Sequence, residues 1–191
     1  MIPTTASDID AQLAEVERQN AELESYLEPL DGPAVIWRPD PTRWSVAGHV
    51  EHLNIVNAAY LGAIEETIAA ARRSGGPESD GPYRHPFIAR RFARMMEPPP
   101  SMRVKTARRM VPDPAVDAAA SFEKFAEHQR RLASLLESSR GLDLGKIRFG
   151  SPFLALLRLS LGTGFEVLLH IWLIRELMSN DAFPGMLPES E

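Results

Sequence analysis

The sequence predicts an all-α fold in which four long helices form a bundle, with one long connection in the middle of the chain. Three observations lead to this prediction. Apolar residues recur at helical spacing through four long stretches. A proline-rich segment, residues 74–113, separates the second stretch from the third. No stretch has the pattern expected of a β-strand. We therefore interpret residues 1–191 as one helical domain.

The first helix is predicted within residues 4–30, "TTASDIDAQLAEVERQNAELESYLEPL". Its apolar positions lie at roughly helical spacing: Ile9, Leu13, Val16, Ala21, Leu23 and Leu27. The triplet Asp31-Gly32-Pro33 breaks the helix. The following "AVIWRPDPTR", residues 34–43, is predicted to be an extended loop, because residues before proline avoid the helical region.

The second helix is predicted to start after Ser45, a good N-cap residue, and to end at Gly75-Gly76. The crossover 74–113 follows, with a short helix around "FIARRFARMM". The third long helix is predicted to be "PDPAVDAAASFEKFAEHQRRLASLLESSRG", residues 112–141, and the last one runs roughly from Gly162 to Met178. The order of these elements is typical of a helical bundle.

Composition limits the possible functions. The net charge of -5 and pI near 5.6 argue against a nucleic-acid partner. The chain has no cysteine, so any metal must be held by histidine, carboxylate or backbone oxygen. The first residues lack a signal-peptide pattern, and Arg158, Glu166 and a glycine pair interrupt the most apolar window. We expect a cytoplasmic protein that is not inserted in a membrane.

The five histidines differ in their settings. His49 and His52 are neighbours on one face of the second helix, and His170 lies in the most apolar helix, "EVLLHIWLIREL". A buried imidazole needs a partner, which could be a Ser, Thr or Glu of a neighbouring helix. Alternatively, His52 and His170 face each other and bind a divalent metal. His85 and His128 are interpreted as surface residues.

The run "LEPLDGPAVIWRPDPTRWSVAGHVEHLNIVN" resembles the entry to the second helix of the DinB-like superfamily. Trp37, Pro39, Trp44, Ser45, His52 and Leu53 fall on that family's pattern. The segments "VKTARRMVPDP" and "FGSPFLALLRLSLGTGFEVLLHIW" resemble the family's crossover and the approach to its last helix. The resemblance implies an up-down-down-up four-helix bundle with a long crossover between the second and third helices.

The resemblance also implies a divalent metal among three histidines, one on the second helix and an H-x-x-x-H pair on the last. His52 matches the first ligand. If His170 is the second member of the pair, Glu166 takes the other position, and if it is the first member, Ile174 does. A His52–Glu166–His170 site, one completed by His49, a two-ligand remnant and an abandoned site all remain open.

Members of this superfamily with complete sites include metal-dependent thiol transferases and hydrolase-like or isomerase enzymes. The resemblance therefore implies a transferase or hydrolase acting on a small molecule, with nickel, zinc or manganese held by His52, Glu166 and His170. Glu51 is predicted to point about 100° away from His52, toward solvent. The alternative is a non-catalytic bundle that binds a small molecule or forms a homodimer.

Overall fold

The computed structural model describes residues 9–79, 108–153, 157–168 and 183–184, and this part of the chain is mostly helical. It contains five α-helices, a 3₁₀ turn and two short strands. In chain order they are α1 (Ile9–Leu27), α2 (Gly32–Ile36), α3 (Val46–Ser74), the 3₁₀ turn (Arg108–Met110), α4 (Ala118–Ser138), β1 (Arg148–Gly150), β2 (Arg158–Ser160) and α5 (Leu161–Val167). None of these helices is long and apolar enough to cross a membrane.

The predicted bounds of the second helix are confirmed in α3. The Ser45 hydroxyl accepts a hydrogen bond from the Gly48 amide at 3.1 Å, which satisfies one amide of the first turn. At the other end, Gly75 has φ 63°, in the left-handed region that favours glycine. The local chemistry of the two caps therefore fixes both ends of this helix.

Two predictions about the connecting segments are wrong. Residues 34–43 do not form a continuous extended loop, because α2 begins at Gly32 with Asp31 as its N-cap; the Asp31 side chain accepts a hydrogen bond from the Ala34 amide at 2.9 Å. The third long helix begins only at Ala118, after the N-cap Asp117. In both cases an aspartate cap decides where the helix starts.

The prediction that the chain has no strands is also wrong. β1 and β2 pair antiparallel, with Phe149 opposite Leu159, and both of these side chains are buried. Each strand has only three residues, so neither shows enough alternation to be recognised from the sequence. This small hairpin lies between α4 and α5.

The orientations of α1, α3 and α4 follow from their contacts. Three contacts advance in the same direction along α3 and α4: Asn54 with Ser121, Glu65 with Arg131, and Arg72 with Ser138. These two helices are therefore parallel, and a parallel pair needs a long connection such as the crossover between them. Asp10, at the start of α1, pairs with Arg140, just beyond the end of α4. Leu23, near the other end of α1, belongs to the same buried cluster as Val46 and Phe125 near the starts of α3 and α4, so α1 is antiparallel to both.

The buried residues form two hydrophobic clusters. The larger cluster lies between α3, α4, the hairpin and α5, and it includes Leu61, Ile64 and Phe165, none of which is exposed to solvent. The smaller cluster lies at the N-terminal end of α3, around Val46 and Val50. The predicted last helix is described only as α5, and the rest of it, like the predicted short helix near residues 87–96, lies outside the described residues.

Candidate functional site

His52 lies in the second turn of α3, and a long-range hydrogen bond orients its ring. The His52 Nδ1 is 2.7 Å from the carbonyl oxygen of Met110, the last residue of the 3₁₀ turn. A carbonyl oxygen can only accept, so Nδ1 carries the proton. The neutral ring then has its lone pair on Nε2. This is the tautomer of a histidine that binds a metal through Nε2 while a backbone carbonyl holds its other nitrogen.

Trp44 packs against the rings of both neighbouring histidines. Its ring centroid is 4.9 Å from that of His52, tilted by 36°, and 5.5 Å from that of His49, nearly edge-on. Gly48 leaves room for Trp44, since a Cβ at that position would lie 3.1 Å from the Trp44 Cβ and would press on it. The indole therefore restricts the rotation of both imidazoles.

His49 has the same proton arrangement as His52. Its Nδ1 donates to the Ser45 carbonyl at 2.8 Å, one turn earlier in the chain, so its Nε2 also carries the lone pair. Burial, against the opposing hydrogen bond to the Ser45 carbonyl and with the help of the nearby His52, lowers the pKa of His49 to about 4. His49 is therefore neutral at physiological pH.

Burial also lowers the pKa of His52, and the hydrogen bond to the Met110 carbonyl only partly opposes this effect. A histidine binds a metal through a neutral nitrogen, so a lowered pKa keeps the ligand form present at neutral pH. Burial therefore favours the neutral ring, and the hydrogen bond to Met110 determines that the unprotonated nitrogen of that ring is Nε2.

The prediction that Glu51 points into solvent is wrong. Its side chain is 21% exposed and faces α4, where it accepts hydrogen bonds from the Ser121 hydroxyl at 2.9 Å and from Asn54 Nδ2 at 3.1 Å. Burial acts to raise the pKa of Glu51, but these hydrogen bonds and the charge of Lys124 outweigh it, so the pKa is lowered. Glu51 thus belongs to a polar contact between α3 and α4.

The prediction that His128 lies on the surface is wrong as well. The residue is only 9% exposed, and its Nδ1 has no hydrogen-bond partner within the described part of the chain. Burial and the charge of Lys124 lower its pKa. His128 lies one helical turn from both Phe125 and Leu132, and this spacing places all three on the buried side of α4. The sequence therefore contained the signal that His128 is buried.

The other predicted ligands are only partly described. Glu166 belongs to α5 by its backbone, and its side chain is not described; His170 lies outside the described residues, as does His85. The pairing of His52 with Glu166 and His170 therefore stays a prediction. Among residues 9–79, 108–153 and 157–168, no three potential metal ligands come together. Sequence reasoning missed Met110, since a backbone carbonyl leaves no side-chain pattern.

The described part of the chain is a mostly helical protein with a half-buried histidine near the start of its longest helix. A family model described as the DinB superfamily matches residues 15–171, well over half of the chain. The chain therefore belongs to the DinB superfamily. No curated protein and no solved structure matches it.

Proposed function

We propose that this DinB-superfamily protein is a metal-dependent transferase or hydrolase that acts on a small molecule. One observation carries the proposal: the Met110 carbonyl fixes the His52 tautomer, so that Nε2 is free to bind a metal. A carbonyl or carboxylate partner on the second ring nitrogen is typical of metal-binding histidines. The fold proposed with this function is an up-down-down-up four-helix bundle.

Glu166 and His170 are the proposed companion ligands of His52. Two imidazoles and a carboxylate form a donor set suited to zinc or a similar divalent ion, and three protein ligands leave a position open. A divalent metal with an open position supplies Lewis-acid activation of a water or thiol. His52 would hold the metal through Nε2, while Met110 and Trp44 keep its ring in place. Glu166 is either the third ligand or a base.

A shared metal requires that the side chains of His52 and His170 reach the same point. Gly164 lies beside Ile64, because a Cβ on Gly164 would be 3.3 Å from the Ile64 Cδ1. From residue 52 to residue 64, α3 rises by about 18 Å. An ideal helix from Gly164 to His170 would rise by about 9 Å. His52 and His170 can share one metal only if their side chains and the chain after Leu168 together span this difference in height.

Thermal unfolding with and without metal tests the proposal. A ligand that binds only the folded state stabilises it by about 2.7 kcal/mol at one hundred times its dissociation constant. We expect zinc, nickel or manganese to raise the unfolding midpoint of the wild-type protein relative to chelator. His52→Ala should lose most of this rise, whereas His128→Ala should keep it.

The same experiment separates the alternatives. If His49→Ala also loses the metal-induced rise of the unfolding midpoint, His49 is a ligand. If the wild-type protein unfolds at the same temperature in metal and in chelator, the metal-dependent enzyme is contradicted. A small-molecule binder or a homodimeric module would then be the better account of this fold.

A further inference from the structure

We infer that Arg109 is a positioning residue, which holds the Met110 carbonyl against His52 by fastening the end of the crossover to the loop after β1. The inference rests on the proposed function insofar as His52 is a metal ligand. Its structural basis is a closed chain of contacts that begins and ends on α3.

The 3₁₀ turn that carries Met110 has little support of its own. Its backbone bond, from the Val111 amide to the Arg108 carbonyl, is long at 3.3 Å. The Met110 side chain is only partly buried where it packs against the larger hydrophobic cluster. The carbonyl that orients His52 therefore needs a further attachment close by in the chain.

Arg109 supplies this attachment through two contacts with one residue. Its guanidinium donates a hydrogen bond to the Phe153 carbonyl, and its Cζ lies 5.3 Å from the centre of the Phe153 ring. A planar guanidinium can make both contacts at once, because it stacks on an aromatic face while its edge donates. The turn is thereby held on the loop that follows β1.

Phe153, the residue that Arg109 contacts, is itself held against α3. The Phe153 ring centre lies 5.8 Å from that of Tyr60, and the Phe153 amide donates to the Ser151 hydroxyl at 3.4 Å. That hydroxyl is 3.1 Å from the Tyr60 hydroxyl. Tyr60 is buried on α3, about two turns beyond His52. The contacts thus lead from His52 through Met110, Arg109 and Phe153 back to the same helix.

The test compares Arg109→Met with Arg108→Met in the metal-free protein. Arg108 is exposed in the same turn, and its side chain makes no hydrogen bond or ion pair with another described residue, so it is a matched control. Ring ¹⁵N shifts of His52, assigned by their loss in His52→Ala, distinguish the protonated nitrogen from the unprotonated one. We expect the ratio of the Nδ1–H to the Nε2–H form to fall about fivefold in Arg109→Met, which corresponds to one weakened hydrogen bond.

Arg108→Met should leave this ratio unchanged. Zinc affinity should also fall about tenfold in Arg109→Met, as losses of support around a metal ligand commonly cause. If Arg109→Met does not fold, Arg109→Lys is measured in the same way, and a smaller shift in the same direction is expected. An unchanged His52 tautomer in the folded Arg109 variant would overturn the inference. A shifted tautomer in a protein that binds no metal would contradict only the proposed function.

Discussion

Acidification is expected to weaken the fold through His49, whose pKa is lowered to about 4 by burial. The ordinary value for an unfolded histidine is about 6.5. Between these two values the unfolded chain binds more protons than the folded one, so stability rises with pH in this window and falls as pH decreases through it. From pH 7.5 to pH 5.0 this single group should cost about 2 kcal/mol of unfolding free energy.

The assay is urea unfolding at both pH values, in chelator so that metal binding does not contribute. Wild-type protein is compared with His49→Phe, which keeps a ring beside Trp44 and removes the titrating group. The loss of stability on acidification should be smaller in the variant by about 2 kcal/mol. His52 and His128 remain in both proteins, so their contributions cancel. An equal pH dependence in the two proteins would refute a neutral, buried His49.

Three further predictions concern packing, each read from urea unfolding. Gly164→Ala would place a Cβ 2.6 Å from the Phe149 ring and should lower the free energy of unfolding by about 1–2 kcal/mol. The control Gly62→Ala, with open space around it, should be neutral or stabilising. Equal effects of the two substitutions would contradict the close contact at Gly164. Ser121→Ala removes a hydrogen-bond donor to Glu51 and should lower the free energy of unfolding by about 1–2 kcal/mol. An unchanged free energy of unfolding would argue against this polar contact. His128→Leu should stabilise the fold by up to about 1 kcal/mol, because it removes a buried nitrogen that has no hydrogen-bond partner among the described residues; a loss of stability would imply a partner for that nitrogen.

Helix ends with strong local chemistry were predictable from the sequence. Ser45 and Gly75 mark the ends of α3 because the amides and carbonyls that they satisfy belong to the same few residues. α2 carried a comparable signal, an aspartate cap followed by a proline in the first turn. It was missed because Pro33 was interpreted as a breaker instead of a first-turn residue.

The site was only partly predictable. His52 is half-buried beside the apolar stripe of α3, where its ring packs against Trp44. Its hydrogen-bond partner, however, is a backbone carbonyl 58 residues away. The prediction for Glu51 failed because α3 has neighbours on more than one side. A residue turned about 100° away from one interface reaches the next one, where Ser121 and Lys124 lie.

Metal content tests the central claim most directly. The wild-type protein and His52→Ala are incubated with zinc, nickel or manganese, freed of excess ion and analysed for bound metal per chain. Binding through the His52 Nε2 predicts about one equivalent in the wild-type protein and far less in the variant. Well under one equivalent in the wild-type protein, or the same content in both, would contradict it.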